Sequence, residues 1–302
     1  MEVKRRTARL LVKKLGSVSE LTRSEALAEI RLMTKNDAES RPIFAEAGAI
    51  PYLAETLYSS CHDSQDNAAA TLLNLSISSR APLMSTRGLL DAISHVLGHH
   101  ATDSSPFAVQ SSAATLYSLL VDDSYRPIIG SKRDIVYSLI EIIKRHNSPP
   151  RSIKDALKAL FGIALFPLNR ASLIDLGATA ALFSLVLKDG RVGVVEDATA
   201  VIAQIAGCEE SEREFWKVSG VRVLVDLLDV GTGSSSRIKE NAVGALLNLV
   251  RCGGGGVVKE VKEIGAGAVE GIRDVVENGT AKGKSKGLAL LKVVEGGAKE
   301  WV

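Results

Sequence analysis

The sequence is poor in aromatic residues, which make up 4% of its 302 residues, although 46% of them are hydrophobic. A core must therefore be built from Leu, Ile, Val and Ala, which suit closely packed helices. The formal net charge is only +2, so the total charge does not predict a nucleic-acid or membrane partner. No apolar run reaches the roughly 18 residues of a membrane span, and the first residues lack the apolar stretch of a signal peptide. These absences predict a protein without membrane insertion that works in the cytoplasm, with the nucleus as the alternative.

Cysteine is also scarce. Cys61, Cys208 and Cys252 are an odd number, and their spacing fits neither a disulfide framework nor a zinc site. A reducing compartment suits such a composition. Cys208 and Cys252 occupy the same register of the repeat described below, so they are expected to be small structural residues.

The sequence contains no set of residues that would form a catalytic centre, a metal site or a cofactor site. His95 and His99 have the i, i+4 spacing of helical metal ligands, but no Glu lies between them as in a zinc hydrolase. They are therefore predicted to be surface histidines. The run GGGG (253–256) lacks the following Lys-Ser/Thr of a phosphate-binding loop and is predicted to be a flexible loop.

One pattern recurs along the chain, and AAATLLNLS (68–76) and AVGALLNLV (242–250) are clear copies of it. The position before the last aliphatic residue of each copy is called the reference position. It is occupied by Asn74, Ser118, Gly162, Gln204, Asn248 and Lys292, at intervals of 44, 44, 42, 44 and 44 residues. A period of about 40–47 residues is typical of HEAT and armadillo repeats. The sequence therefore predicts an all-α fold, a right-handed superhelical stack (α-solenoid) of about six armadillo-type repeats in one domain.

Each repeat is predicted to contain three helices. A short amphipathic segment such as RPIFAEAG (41–48) ends in a turn, and an apolar middle helix such as IPYLAETL (50–57) follows. The long helix with the reference position comes last, after loops such as HNSPPRS (146–152). Glycine allows the positive φ of a sharp turn, and Asp134 interrupts this pattern in the third repeat. The predicted turn glycines are Gly48, Gly88, Gly177 and Gly220.

Three columns of the long helices are predicted to face the core. The column two residues before the reference position is aliphatic in every repeat, as is the column one residue after it. The column six residues before it is small in five of six repeats, as a close helix crossing requires. In order, these columns hold Leu72, Leu116, Leu160, Ile202, Leu246 and Leu290; Leu75, Leu119, Ile163, Ile205, Leu249 and Val293; and Ala68, Ser112, Ala156, Ala198, Ala242 and Lys286.

A further column, seven residues before the reference position, contains only residues that cap helices well. It is predicted to cap the long helices, with contact to a ligand as the alternative. Its members are Asn67, Ser111, Asp155, Asp197, Asn241 and Ser285.

The reference position is polar or glycine in every repeat, so it is predicted to point away from the core. Successive repeats of a solenoid line one continuous concave surface, and an asparagine there offers both donors and an acceptor to a peptide backbone. The alternative is that these side chains are only solvated. The predicted partner-binding groove comprises Asn74, Ser118, Lys158, Gly162, Gln204 and Asn248.

Three stretches resemble a known family: EIRLMTKNDAESRPIFAEAGAIPYLAETL (29–57), QDNAAATLLNLSI (65–77) and IKENAVGALLNLV (238–250). They resemble the armadillo region of plant U-box E3 ubiquitin ligases, and the resemblance covers essentially the whole chain. It implies that the repeats bind a protein substrate or a receptor kinase, while an upstream U-box recruits an E2 enzyme. No segment here resembles a U-box, so E2 binding is expected only through residues outside this sequence, and whether Met1 is the natural start stays open.

The predicted function is recruitment of a substrate or regulatory partner for a U-box ligase, with a non-enzymatic armadillo scaffold as the alternative. A nuclear import adaptor is less favoured, because importin-type repeats place Trp four residues before the reference position and this sequence has mostly Ala there. The domain is divided into leading helices at 1–35 and repeats at 36–79, 80–123, 124–167, 168–208, 209–252 and 253–302.

The first 14 residues carry six basic side chains against the single acidic residue Glu2. This run is predicted to be the solvated face of a leading helix that covers the open end of the stack. Nuclear entry or binding to an anionic surface is the alternative. The basic residues are Lys4, Arg5, Arg6, Arg9, Lys13 and Lys14.

Overall fold

A computed structural model of the chain describes residues 1–145, 147–253 and 255–296. In these residues it contains 20 α-helices, three short 3-10 helices and no β-strand, which confirms the all-α class. Contacts between Cα atoms group the chain into unit 1 (Met1–Ile142 with Asn147–Gly162) and unit 2 (Ile143–His146 with Ile163–Val302). Among the described residues no single helix is long and apolar enough to span a membrane, and only 150–164 and 167–175 reach those limits when counted together.

Unit 1 begins with two leading helices and continues as successive groups of a short, a middle and a long helix. The leading helix α1 buries Ala8, Leu11, Val12 and Leu15 along one side, where it packs on α2 and α3. The helices are α1 (Glu2–Leu15) and α2 (Glu20–Asn36); α3 (Ser40–Glu46), α4 (Ala49–Thr56) and α5 (His62–Ser76); α6 (Arg80–Ser85), α7 (Leu89–Gly98) and α8 (Pro106–Leu119); and α9 (Arg126–Gly130), α10 (Arg133–Lys144) and α11 (Pro150–Ala164), the last belonging to unit 1 through Gly162.

Unit 2 repeats the same order of helices. Gly253 ends one helix, and Gly255 and Gly256 lie in the first turn of the next, so the flexible loop predicted at 253–256 is wrong for these three residues. Gly254 lies outside the described residues. The helices are α12 (Arg170–Asp175), α13 (Ala178–Lys188) and α14 (Val192–Ile205); α15 (Ser211–Lys217), α16 (Gly220–Asp226) and α17 (Ser236–Gly253); and α18 (Gly255–Ile264), α19 (Ala266–Asn278) and α20 (Ala281–Gly296), with 3-10 helices at Asp123–Tyr125, Pro167–Asn169 and Val230–Thr232.

The predicted core columns are confirmed. Every member of the two aliphatic columns is buried, from Leu75 at 0% exposure to Val293 at 8%. The small column is buried as well, apart from Lys286. Small side chains such as Ala68 and Ser112 allow α5 and α8 to pack closely, and burial of the aliphatic columns provides the main stabilisation.

The turns between short and middle helices contain one residue with left-handed backbone, except the turn between α9 and α10. Gly48, Gly88 and Gly177 have φ of 85°, 81° and 85°, as predicted. The prediction for Gly220 is wrong, because Ser219 adopts the positive φ (52°) instead. Gly220 is needed for another reason: a Cβ there would lie 2.9 Å from Cζ of Phe183, whose ring packs edge-on against Phe215.

The prediction that the column seven residues before the reference position caps the long helices is wrong. The helix α5 begins at His62, five residues before Asn67, and α17 begins at Ser236, five residues before Asn241. These side chains therefore lie inside the long helices, on the same side as the reference position. Where a hydroxyl does cap a long helix it is further upstream, as at Ser105, whose Oγ accepts a hydrogen bond from N of Phe107 at 3.3 Å.

Candidate partner-binding face

The long helices of each unit pack against one another in chain order: α2, α5 and α8 in unit 1, and α14, α17 and α20 in unit 2. This packing aligns their reference positions within each unit; in α2 the equivalent position is Arg31, 43 residues before Asn74. We call one side of these helices, and of α11, the polar face. It carries the reference positions and the residues four and seven before them.

In unit 1 the asparagines of the polar face connect consecutive long helices. Nδ2 of Asn74 donates to Oγ1 of Thr34 on α2 at 3.2 Å, and Oδ1 of Asn67 accepts from Nη1 of Arg31 at 2.6 Å. Asn74 and Ser118 are both half-buried. Within the part of the chain that the structure describes, Oδ1 of Asn74 accepts no hydrogen bond, so it remains available to a donor from another molecule.

The third repeat departs from the prediction at Gly162. This residue is buried, and a Cβ there would lie 2.9 Å from Cβ of Leu120. The expectation that the reference position points away from the core is therefore wrong at Gly162, because the α8 end of the previous repeat lies directly against it. It offers no side chain to a partner.

Lys158 and Asp155 are the charged groups of the polar face in the third repeat. Nζ of Lys158 lies 3.6 Å from Oδ1 of Asp155, and 40% of the Lys158 side chain is exposed. Burial raises the pKa of the Asp155 carboxyl, although the charge of Lys158 and a hydrogen bond from Gln110 on α8 lower it. Asp155 thus connects two long helices, and Lys158 keeps an exposed ammonium group.

In unit 2 the same arrangement recurs. Nδ2 of Asn248 donates to the backbone oxygen of Ala203 at 2.8 Å. Ala203 lies in the last turn of α14, where backbone oxygens lack partners within the helix. Nδ2 of Asn241 donates to the oxygen of Glu196 and to Oγ1 of Thr199, both at 3.1 Å. Gln204 is half-buried, and its Oε1 lies 3.4 Å from Nη2 of Arg170.

A set of arginines near the ends of the long helices was missed by the sequence reasoning. Each stands at or next to the start of a short helix, and its Nε donates to a backbone oxygen near the carboxyl end of a long helix. This satisfies oxygens that the helix leaves unpaired. The arginine that recurs in SRPIF, SRAPL, YRPII and NRASL was a usable signal. The pairs are Arg41 with Thr34 (2.9 Å), Arg80 with Ser118 (2.7 Å), Arg126 with Leu120 (3.1 Å) and Arg170 with Ala164 (2.9 Å).

An apolar column in unit 1, beside the polar face, was also missed. It consists of the residues one before and three after the reference positions, which share one side of a helix through i, i+4 spacing. Ile77, Tyr117 and Val121 are 50%, 40% and 55% exposed. Leu73 and Phe161 are half-buried. The polar face of unit 1 is thus bordered by exposed apolar side chains that could pack against a partner.

The Cys208 thiol of unit 2 is poorly suited to nucleophilic chemistry. Burial and the adjacent Glu210 raise the pKa of the Cys208 thiol to about 12, so it is protonated at neutral pH. Cys252 is exposed at the end of α17.

The histidines lie at the surface to different extents. His99 is exposed, and His95 and His100 are half-buried. The ring of His95 lies 4.7 Å from that of Tyr58 and 4.3 Å from that of His99. Burial lowers the pKa of His95, with a smaller contribution from the charge of His99. Over the described ranges, no cluster of three or more His, Cys, Asp or Glu side chains could hold a metal ion.

Helical triads in a constant register, with long helices packed in chain order, define an armadillo-type repeat protein. Solved structures agree with this class. One matching chain comes from a study of the phosphorylation switch that controls the interaction between cadherin and beta-catenin. It matches with a TM-score of 0.78 and 17% identity, over 96% of this chain and 53% of that one. A computationally designed armadillo repeat protein for modular peptide recognition matches with a TM-score of 0.51 and 20% identity, over 94% of this chain and 98% of that one. The predicted armadillo α-solenoid class is confirmed.

The chain belongs to the family described as the plant U-box protein ARM repeat region, which matches residues 8–300. This confirms the resemblance seen in the sequence and assigns the chain to a protein-interaction fold. U-box domain-containing protein 17 of Arabidopsis thaliana is 32% identical over 302 residues, which cover 98% of this chain and 39% of that relative. The chain therefore spans about two fifths of the length of this relative.

Proposed function

We propose that this chain recruits a protein substrate or a regulatory partner, such as a receptor kinase, for ubiquitination by a U-box E3 ligase. The family match over residues 8–300 carries this proposal. The name of the relative refers to a U-box domain, and in this proposal a U-box outside these residues binds the E2 enzyme. The polar face, with its apolar border in unit 1, is the surface that contacts the partner.

The ligase half of the proposal is tested by ubiquitin transfer. The complete natural gene product is incubated with E1, a panel of E2 enzymes and ubiquitin, and residues 1–302 alone serve as the control. We expect ubiquitin chains with the complete product and none with residues 1–302. Absence of transfer from the complete product with every E2 would contradict the ligase role and favour a non-enzymatic armadillo scaffold.

The partner half is tested on the polar face. We expect Asn74→Ala and Asn248→Ala each to weaken binding of a partner, captured from the native source and identified, by about tenfold, since a buried hydrogen bond contributes roughly 1 kcal/mol and loss of one partner leaves a polar group unpaired. Binding is measured by isothermal titration calorimetry with the purified partner.

The matched controls are Asn36→Ala in unit 1 and Asn278→Ala in unit 2, both at exposed asparagines away from the polar face. Circular dichroism spectra verify that all four variants remain folded. Unchanged affinity in both Asn74→Ala and Asn248→Ala would move the binding surface away from the polar face.

We also propose that the protein works in the cytoplasm. Its three cysteines are free thiols, as suits a reducing compartment. Nζ of Lys4 in the KRR run is occupied by Asp37 at 2.6 Å and Glu39 at 2.8 Å. This makes the run less available to a nuclear import receptor.

A further inference from the structure

A cleft of about 640 Å³ opens in unit 1 beside the turn that joins α1 to α2. One wall is the first half of α2, with Glu20 and Leu27, and the opposite wall is the carboxyl end of α4, with Tyr52 and Glu55. Ser24, which also lines the cleft, and Leu27 lie seven and four residues before Arg31, the residue of α2 that contacts Asn67. The cleft therefore lies on the same side of α2 as Arg31, toward the amino end of that helix.

Two tyrosines of the cleft are held in place by neighbouring residues. Tyr52 is 38% exposed and packs on Gly16, where a Cβ would lie 3.2 Å from its Oη. Tyr58 is 51% exposed, and its ring centroid lies 4.7 Å from that of His95. The cleft therefore has two partly exposed aromatic rings, each in contact with a neighbouring residue of unit 1.

The charge of the cleft is negative. Glu20 and Glu55 line it, and within the described ranges no ion pair joins either carboxylate to a cation. Arg23 also lines the cleft, but its Nη1 donates to the backbone oxygens of Ser17 at 2.8 Å and Val18 at 3.1 Å. Two carboxylates thus outnumber one guanidinium group that is already engaged with the backbone.

We propose that this cleft binds a cationic side chain, lysine or arginine, of the protein partner. This inference rests on the proposed function, because the side chain belongs to a partner on the polar face. A cation over the face of a tyrosine is attracted by the ring, and two nearby carboxylates add Coulomb attraction. A volume of about 640 Å³ holds such a side chain together with part of its backbone.

The probes are blocked single residues. N-acetyl-arginine methylamide and N-acetyl-lysine methylamide are titrated into isotopically labelled protein (residues 1–302), and the NMR signals of Gly16, Tyr52 and Tyr58 are followed. N-acetyl-citrulline methylamide, the neutral isostere of the arginine probe, is the matched ligand control. We expect saturable shifts with both cationic probes and affinity about fivefold or more weaker with citrulline.

The matched protein variants are Glu20→Gln and Glu55→Gln, with Glu46→Gln, at an exposed carboxylate of α3 outside the cleft, as control. We expect the first two to weaken binding of the arginine probe about threefold or more and the control to leave it unchanged. Inorganic phosphate is the opposing probe, because Arg23 and the surrounding hydroxyls would suit an anion. Equal binding of arginine and citrulline, or saturable binding of phosphate in their place, would overturn the proposal.

The outcome is separable from that of the proposed function. The blocked residues report on the cleft without any partner, whereas the asparagine variants report on the polar face with a partner. If Asn74→Ala weakens the partner and the cationic probes do not bind, only the cleft proposal fails. If the probes bind but Glu55→Gln leaves the affinity for the partner unchanged, the cleft takes no side chain of that partner and the proposal fails as well.

Discussion

Replacement of Leu246 by aspartate is expected to unfold unit 2. The side chain of Leu246 is fully buried in α17. Loss of a buried leucine costs about 2–5 kcal/mol, and an unpaired carboxylate in an apolar core adds several kcal/mol more. Since a folded domain is stabilised by about 5–15 kcal/mol, the variant is expected to lose the helical signal of unit 2 in far-ultraviolet circular dichroism.

The matched control is Leu288→Asp on α20, in the same unit, because half of the Leu288 side chain is exposed. We expect this variant to change the free energy of unfolding by less than about 0.5 kcal/mol. Urea unfolding is followed for both proteins. Equal midpoints for the two variants would mean that the Leu246 column does not form the core.

The substitution Gly162→Ala is expected to destabilise unit 1. Replacement of a glycine by alanine inside an exposed helix stabilises a protein by about 0.5–1 kcal/mol. At Gly162 the new Cβ would instead lie 2.9 Å from Cβ of Leu120, an atom close to the backbone that cannot move away easily. Overpacking of this kind costs about 1–3 kcal/mol, so the expected sign is opposite to that of an exposed site.

The control is Gly98→Ala at the end of α7, also in unit 1. A Cβ at Gly98 would lie 3.8 Å from Oγ of Ser138, an ordinary contact, so a neutral or stabilising effect is expected. The free energy of unfolding of both variants is measured by urea denaturation. A stabilised Gly162→Ala protein would restore the sequence-based expectation that this position faces solvent.

Much of the fold could be predicted from the sequence because the core columns repeat with little variation. The column that contains Leu72, Leu116 and Leu246 is aliphatic in every copy. A period near 44 residues aligns it without knowledge of the neighbouring helices. Gly48, Gly88 and Gly177 have a local requirement, the positive φ of a turn. Both signals are contained within one repeat, so a single sequence suffices to find them.

The polar face was harder to predict, because its residues act across repeats. Asn67 and Asn241 belong to residue types that cap helices and that also bridge helices, and only the positions of the helix starts separate these roles. Gly162 has no side chain whose polarity could indicate burial; its environment depends on Leu120 of the preceding repeat. The apolar column likewise becomes visible only when Ile77 and Tyr117 are placed on adjacent helices.

If the proposed partner binds at the asparagines that connect consecutive long helices, these residues link binding to mechanical stiffness. Nδ2 of Asn74 and of Asn248 is held by the preceding helix, which leaves Oδ1 as the atom that a partner can contact. A donor on Oδ1 polarises the amide and strengthens the bond made by Nδ2, as in other chains of hydrogen bonds. Contact of the proposed partner with Oδ1 would therefore stiffen the joint between two neighbouring helices. A change of side chain at such a joint would then alter both the affinity for that partner and the rigidity with which the repeats present it.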